Sequence, residues 1–105
     1  MEVAMALPRS HNVVEVSEAT KKRYLKNLAE QILNLRRAME KSDFATVREI
    51  CHRVRGSASL FGLRDLGDAC RETEEACLEN KPEGIVQGFQ VIEVIVSRNS
   101  GHAEA

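Results

Sequence analysis

Apolar side chains recur at three- and four-residue steps along most of the chain, with charged side chains between them. This is the spacing of amphipathic helices, each with one apolar face. The pattern predicts four helices, which span residues 18–41, 43–60, 64–79 and 82–98. The breaks between them suit helix ends: Ser42 or Asp43 can cap the second helix, Gly62 can end it, and Pro82 can open the last.

The last segment is the most ambiguous, because residues 91–96 are rich in β-branched side chains, which also suit a strand. Its length and the lack of a strand-like segment to pair with favour a helix. Its apolar residues lie on more than one side of that helix. We therefore expect a second contact there, either with the N-terminal segment or with another copy of the chain.

Short connections between four helices predict an all-α fold, an antiparallel up-down four-helix bundle with a short N-terminal extension. We assign residues 18–98 to the bundle. The apolar side chains of residues 1–17 show no sustained helical spacing, and this segment is expected to form a tail or a short packing segment. Residues 99–105 are expected to form a C-terminal tail.

Composition narrows the classes of function. A chain of 105 residues with 43% hydrophobic and 30% charged residues is typical of one globular domain. The formal net charge of -1 argues against nucleic acid as a partner. No apolar run approaches the roughly 18 to 20 residues of a membrane helix, and the first eight residues do not resemble a secretory signal. Three cysteines, an odd number, suit a reducing cytoplasm.

Charge is unevenly distributed between two of the predicted helices. Residues 18–41 contain seven basic and three acidic residues, whereas residues 64–83 contain three basic and seven acidic ones. We interpret these segments as solvated helix faces of opposite sign.

The second predicted helix carries the most informative residues. At about 100° per residue, its apolar stripe is centred about 150° from His52. His52 is therefore expected to be exposed. The neighbouring positions on this face are small or charged, and they are Ala45, Arg48, Glu49, Arg55, Gly56 and Ser59.

Gly56 lies one turn beyond His52 on the same face, where a glycine costs about 1 kcal/mol relative to alanine. Internal packing gives no evident reason for it, but a missing side chain would let another molecule approach the imidazole. Arg48 and Arg55 flank the ring and could pair with a phosphoryl group. A surface histidine without a function would not need these neighbours, so we interpret His52 as a functional residue.

The segment from His52 to Ala58, His-Arg-Val-Arg-Gly-Ser-Ala, followed by Phe61-Gly62, resembles the His-x-x-Lys-Gly-Ser signature of histidine-containing phosphotransfer (HPt) domains. The resemblance covers roughly residues 18 to 97. Further matching positions are Tyr24-Leu25, Ala38, Ser42-Asp43-Phe44, Leu66, Cys70 and Glu74. Arg55 stands where the family usually has lysine, and Ser42 where glycine is common.

This resemblance implies a phosphorelay intermediate. His52 would accept a phosphoryl group through Nε2 from a receiver-domain aspartate and pass it to another receiver, with Arg55 stabilising the phosphate. The chain would be a carrier and not an enzyme, without a cofactor of its own, because the catalytic aspartate and the divalent metal would belong to the receiver. Nothing in the sequence resembles an ATP-binding loop. The residues expected to border the docking surface are Arg48, Glu49, Gly56 and Ser59.

Two alternatives stay open. Cys51, Cys70 and Cys77 could form a metal or redox site, but they fall on apolar stripes, where a free cysteine packs as a small hydrophobic residue, so we expect no metal. The chain could also be a helical adaptor that binds receivers or other signalling proteins without phosphotransfer. We expect a cytoplasmic monomer, with a dimer through the last helix as the alternative.

Overall fold

The computed structural model describes residues 17–104, with side chains described for residues 17–99. These residues form four helices, in agreement with the predicted all-α bundle. In order they are α1 (Glu18–Glu40), α2 (Phe44–Leu60), α3 (Arg64–Leu78) and α4 (Pro82–Glu104). The predicted N-terminal segment, residues 1–17, lies outside the described residues except for Ser17, which is the N-cap of α1.

The β-branched segment at residues 91–96 is helical and belongs to α4. The predicted end of this helix at Arg98 was too early, since α4 continues to Glu104. Asn99, where we expected a tail to begin, donates from Nδ2 to the Ile95 carbonyl 2.8 Å away, one turn back along the same helix.

The three connections between helices share one geometry. A residue with a positive φ follows each of the first three helices. These residues are Ser42 with φ 53°, Gly62 with φ 74° and Asn80 with φ 54°. In each turn the next residue donates its amide back to the carbonyl five positions earlier, as in the bond of 2.8 Å from Asp43 to Ala38. This is the Schellman ending of a helix, which reverses the chain within a few residues and keeps neighbouring helices antiparallel.

Side-chain oxygens cap the N-termini of the first two helices. Ser17 Oγ accepts from the Thr20 amide at 3.1 Å at the start of α1. Asp43 Oδ1 accepts from the Thr46 amide at 3.2 Å at the start of α2, and the hydrogen bonds from Thr46 hold the pKa of the Asp43 carboxyl below its usual value. The predicted capping role of Asp43 is confirmed.

The core is aliphatic and involves all four helices. The most deeply buried large side chains include Leu35, Val47, Leu66, Ile85 and Ile92. Helix α3 packs extensively against α2 and α4, while α1 closes the bundle against α2 and α4. Within residues 17–104, no helix is long and apolar enough to span a membrane.

One aromatic contact fixes the end of the bundle where α2 finishes. The rings of Tyr24 and Phe61 stack with centroids 4.0 Å apart and planes 9° from parallel. The Tyr24 hydroxyl also shares a hydrogen bond of 2.9 Å with Ser57 Oγ. Burial raises the pKa of Tyr24 more than the bond from Ser57 lowers it.

Candidate functional site

His52 projects from the middle of α2, on the face turned away from the core, and 62% of its side chain is exposed. Its helical neighbours Cys51 and Val54 are buried, so the helix backbone is held firmly while the ring stands in solvent. The exposure expected from the helical pattern is therefore observed.

Glu74 holds one edge of this ring from the neighbouring helix. His52 Nδ1 lies 2.8 Å from Glu74 Oε2. A carboxylate can only accept, so this hydrogen bond puts the ring proton on Nδ1. In the neutral imidazole, Nε2 then carries the free lone pair.

Arg55 joins the same group from one turn further along α2. Its Nη1 lies 3.5 Å from Glu74 Oε1, and its Nη2 lies 3.3 Å from His52 Nδ1. Because Nδ1 already donates to Glu74, the second contact is a close charge and not a hydrogen bond to the ring. Arg55 thus holds a guanidinium beside His52 while its own charge is partly balanced by Glu74.

Glu74 lies closest to the His52 ring among the residues of the neighbouring helix, and the sequence analysis named it only as a position that matches the family. Its side chain is 12% exposed, and its buried Oε1 accepts no hydrogen bond from the described side chains. Helix α3 places it four residues after Cys70, on the buried face that meets α2. A buried carboxylate requires a hydrogen-bonding or charged partner. The position of Glu74 on the apolar stripe of α3 is therefore the feature of the sequence that could have identified it.

The other predicted site residues form no hydrogen bond or ion pair with the ring. Arg48 and Glu49 are exposed on the preceding turn of α2. A Cβ added at Gly56 would meet nothing within 4 Å, which agrees with an open face beyond His52. Ser59 Oγ donates to the Gly56 carbonyl at 3.3 Å.

The cysteines behave as core residues. Cys51 and Cys70 are buried, and Cys77 is half-buried. A hydrogen bond with Cys70, together with burial, raises the pKa of the Cys51 thiol, and burial raises the pKa of Cys77 to about 11. Among the described residues, no group of three or more histidine, cysteine or acidic side chains could hold a metal ion.

The model of the Hpt domain family matches residues 21–98, which contain most of α1, all of α2 and α3, and α4 up to Arg98. The chain therefore belongs to the Hpt domain family, whose members carry phosphoryl groups on histidine in phosphorelays and interact with receiver domains. They are phosphocarriers and not enzymes in the usual sense. No curated protein and no solved structure shows a significant match.

Proposed function

We propose that His52 is the phosphoryl acceptor of this Hpt domain, and that it receives the group from a receiver aspartate and passes it to another receiver. The observation that carries this proposal is the hydrogen bond from Nδ1 to Glu74, because in the neutral imidazole it leaves the lone pair on Nε2. The exposed ring edge and the empty space at Gly56 also support it.

In the proposed step, the Nε2 lone pair attacks the phosphorus of the aspartyl phosphate in line with the leaving oxygen. A nitrogen–phosphorus bond forms, and the phosphorus–oxygen bond breaks with its electron pair going to the aspartate carboxylate. No proton needs to move, since Nδ1 keeps its hydrogen throughout. The reverse of this step, on a second receiver, returns His52 to its starting form.

Glu74 and Arg55 have complementary tasks in this scheme. The imidazole becomes positively charged as the new bond forms, and the carboxylate at 2.8 Å stabilises that charge through Nδ1. The Arg55 guanidinium is a donor-only group and can pair with the phosphoryl oxygens. The receiver would supply the divalent metal together with its aspartate.

We propose a cytoplasmic location for this relay. The three thiols at Cys51, Cys70 and Cys77 are free, which suits a reducing compartment.

The test is transfer from a panel of receiver domains phosphorylated with a radioactive label. The label should appear on the chain as an acid-labile, alkali-stable group, and it should be absent from His52→Gln. ATP alone should give none. If receivers bind the chain but His52 takes up no label from any of them, the chain is the non-transferring adaptor instead.

A further inference from the structure

Helix α4 exposes three valines, and its sequence pattern predicts a second contact for its apolar sides. Val86 is 42%, Val91 is 50% and Val94 is 55% exposed. Val91 and Val94 border an open groove of about 620 Å³ between α3 and α4, whereas Val86 lies outside it. The buried residues Ala69 and Ile95 also line this groove, so its surface is apolar along much of its length. Exposed apolar residues that lie together in this way mark a contact surface.

The α3 side of the groove is acidic. Asp65, Asp68 and Glu72 line it. Arg98 is the only basic residue among the described residues that border it. An occupant that suits the groove therefore combines apolar side chains with positive charge and lacks carboxylates.

A second copy of the chain does not meet this description. A two-fold dimer through the groove would place the same surface of each copy against the other. The carboxylates of both α3 helices would then face each other, and like charges across an interface are unfavourable.

The N-terminal segment of the chain does meet it. Residues 3–14 contain Arg9 and His11 and no acidic residue. Their apolar residues form a run at positions 3–7 and a pair at positions 13–14. Charge and hydrophobicity are thus complementary between this segment and the groove.

The segment joins the bundle at the end where α2 finishes. Ser17 is the N-cap of α1 and precedes Tyr24 by seven residues, which is about 10 Å along the helix. The Tyr24 ring stacks on Phe61 at the end of α2. The next residue, Gly62, lines a pocket of about 370 Å³ that reaches α4.

This pocket leads into the groove. Asp65, Ile95 and Arg98 line both of them, so the two form one continuous path from the end of the bundle along α4. From Arg98 to Gln87 the groove follows about 17 Å of helix. Residues 3–16, when extended, reach at most about 50 Å. The segment is therefore long enough to cross the end of the bundle and follow the groove.

We propose that residues 3–14 of this chain pack into the groove between α3 and α4. The apolar run at positions 3–7 covers Val91 and Val94, and Arg9 pairs with the carboxylates of α3. His52 meets Glu74 between α2 and α3, on a different side of α3, so the segment leaves the imidazole uncovered. The inference does not depend on the proposed phosphotransfer.

A double-mutant cycle in the full chain tests the contact. The groove variant is Val94→Lys, and the segment variant is Met5→Ser/Leu7→Ser. Lysine has a higher helix propensity than valine, so the groove variant should fold. The matched control is Val86→Lys, because Val86 is an exposed valine of the same helix outside the groove. Chemical denaturation gives the equilibrium constant of unfolding for each chain.

We expect Val94→Lys to raise the unfolding constant roughly fivefold in the parent chain, since it removes a partly buried valine contact. In the chain with Met5→Ser/Leu7→Ser, the same substitution should change the constant by less than about twofold. Val86→Lys should have equal effects in both chains. An equal effect of Val94→Lys in both chains overturns the inference.

NMR with labelled methyl groups tests the contact directly and identifies the occupant. Nuclear Overhauser effects should join the Met5 methyl to the methyls of Val91 or Val94. A mixture of labelled and unlabelled chains separates contacts within one chain from contacts between two copies. Contacts within one chain support the inference. Contacts only between copies, or no contact at all, overturn it, and none of these outcomes affects the phosphotransfer proposal.

Discussion

The carboxylate of Glu74 lies 2.8 Å from Nδ1 of His52, and it reaches the ring from a different helix. The two residues are 22 positions apart in the chain, and only the packing of α3 against α2 brings them together. Glu74 is itself nearly buried. The contact therefore fixes both the direction of the ring and the nitrogen that carries its proton.

This relationship predicts that Glu74 acts as a positioning residue for His52. Glu74→Ala should slow transfer from a phosphorylated receiver by about tenfold to a hundredfold, because the ring loses its orientation and its charge partner. Glu74→Gln keeps an oxygen that accepts from Nδ1, so its transfer rate should fall less than that of Glu74→Ala. The measurement is the single-turnover rate, with Glu75→Gln as the exposed control on the adjacent position.

Nitrogen NMR of the imidazole separates positioning from a loss of folding. The parent chain should show the tautomer with hydrogen on Nδ1 when the ring is neutral, and Glu74→Ala should shift the ring toward the other tautomer. An unchanged tautomer in a folded Glu74→Ala chain would mean that Glu74 does not orient His52.

The open space beyond His52 predicts a clear difference between two substitutions at Gly56. Gly56→Ala should raise the free energy of unfolding by up to about 1 kcal/mol, since the added Cβ meets nothing within 4 Å. Gly56→Gln should fold normally and transfer slowly, because its side chain occupies the approach to the ring. Thermal unfolding and transfer rates test both, and normal transfer by Gly56→Gln would show that clearance at this position is unimportant.

Local patterns predicted most of the fold. Val47, Ile50 and Val54 recur at three- and four-residue steps along α2, and all three are buried. This spacing also implied the exposure of His52, since that residue lies across the helix from them. These features depend only on helical periodicity and on the chemistry of helix ends.

Contacts between helices were harder to predict. Periodicity places Glu74 on the buried face of α3 but does not say which α2 side chain it meets. Leu78 illustrates the same limit, since it is apolar and adjacent to the half-buried Cys77 in α3 and yet is 63% exposed. The relative rotation of two helices decides such positions, and one sequence does not reveal that rotation.

Close packing of α3 on α4 predicts that Gly88 tolerates no larger residue. Gly88→Ala should lower the free energy of unfolding by about 1 to 3 kcal/mol, because its Cβ would lie 3.0 Å from that of Thr73 and overlap the hydroxyl. Gly67→Ala, also within a helix, is the matched control and should be neutral or stabilising. Chemical denaturation measures both, and equal stability of the two variants would contradict the close approach at Thr73.

The three thiols should differ in reactivity in the folded chain. Cys77 should be alkylated first because it is half-buried, and its rate should rise about tenfold per pH unit until the pH approaches its pKa of about 11. Cys51 and Cys70 are buried and should react only when the chain unfolds. Mass spectrometry after timed alkylation gives the order, and rapid modification of Cys51 at neutral pH would contradict its place in the core.

Tyr24 offers a spectroscopic measure of the contact between α1 and α2, because it is the only tyrosine in the chain. Its absorbance change on ionisation should have a midpoint above the ordinary value of 10.0, since burial raises its pKa. Phe61→Ala exposes the ring and should lower the midpoint. Ser57→Ala removes the hydrogen bond that lowers the pKa and should raise the midpoint.

The same shift predicts how stability changes in alkali. The folded chain holds the Tyr24 proton more tightly than the unfolded chain, and this difference adds to the free energy of unfolding. The added stability is complete below pH 10 and is lost as the pH rises through the pKa of Tyr24 in the folded chain. Denaturation at pH 9 and at higher pH should show a loss of stability that is smaller in Phe61→Ala. A midpoint at the ordinary value in the folded parent chain would mean that the stacked ring is not shielded from water.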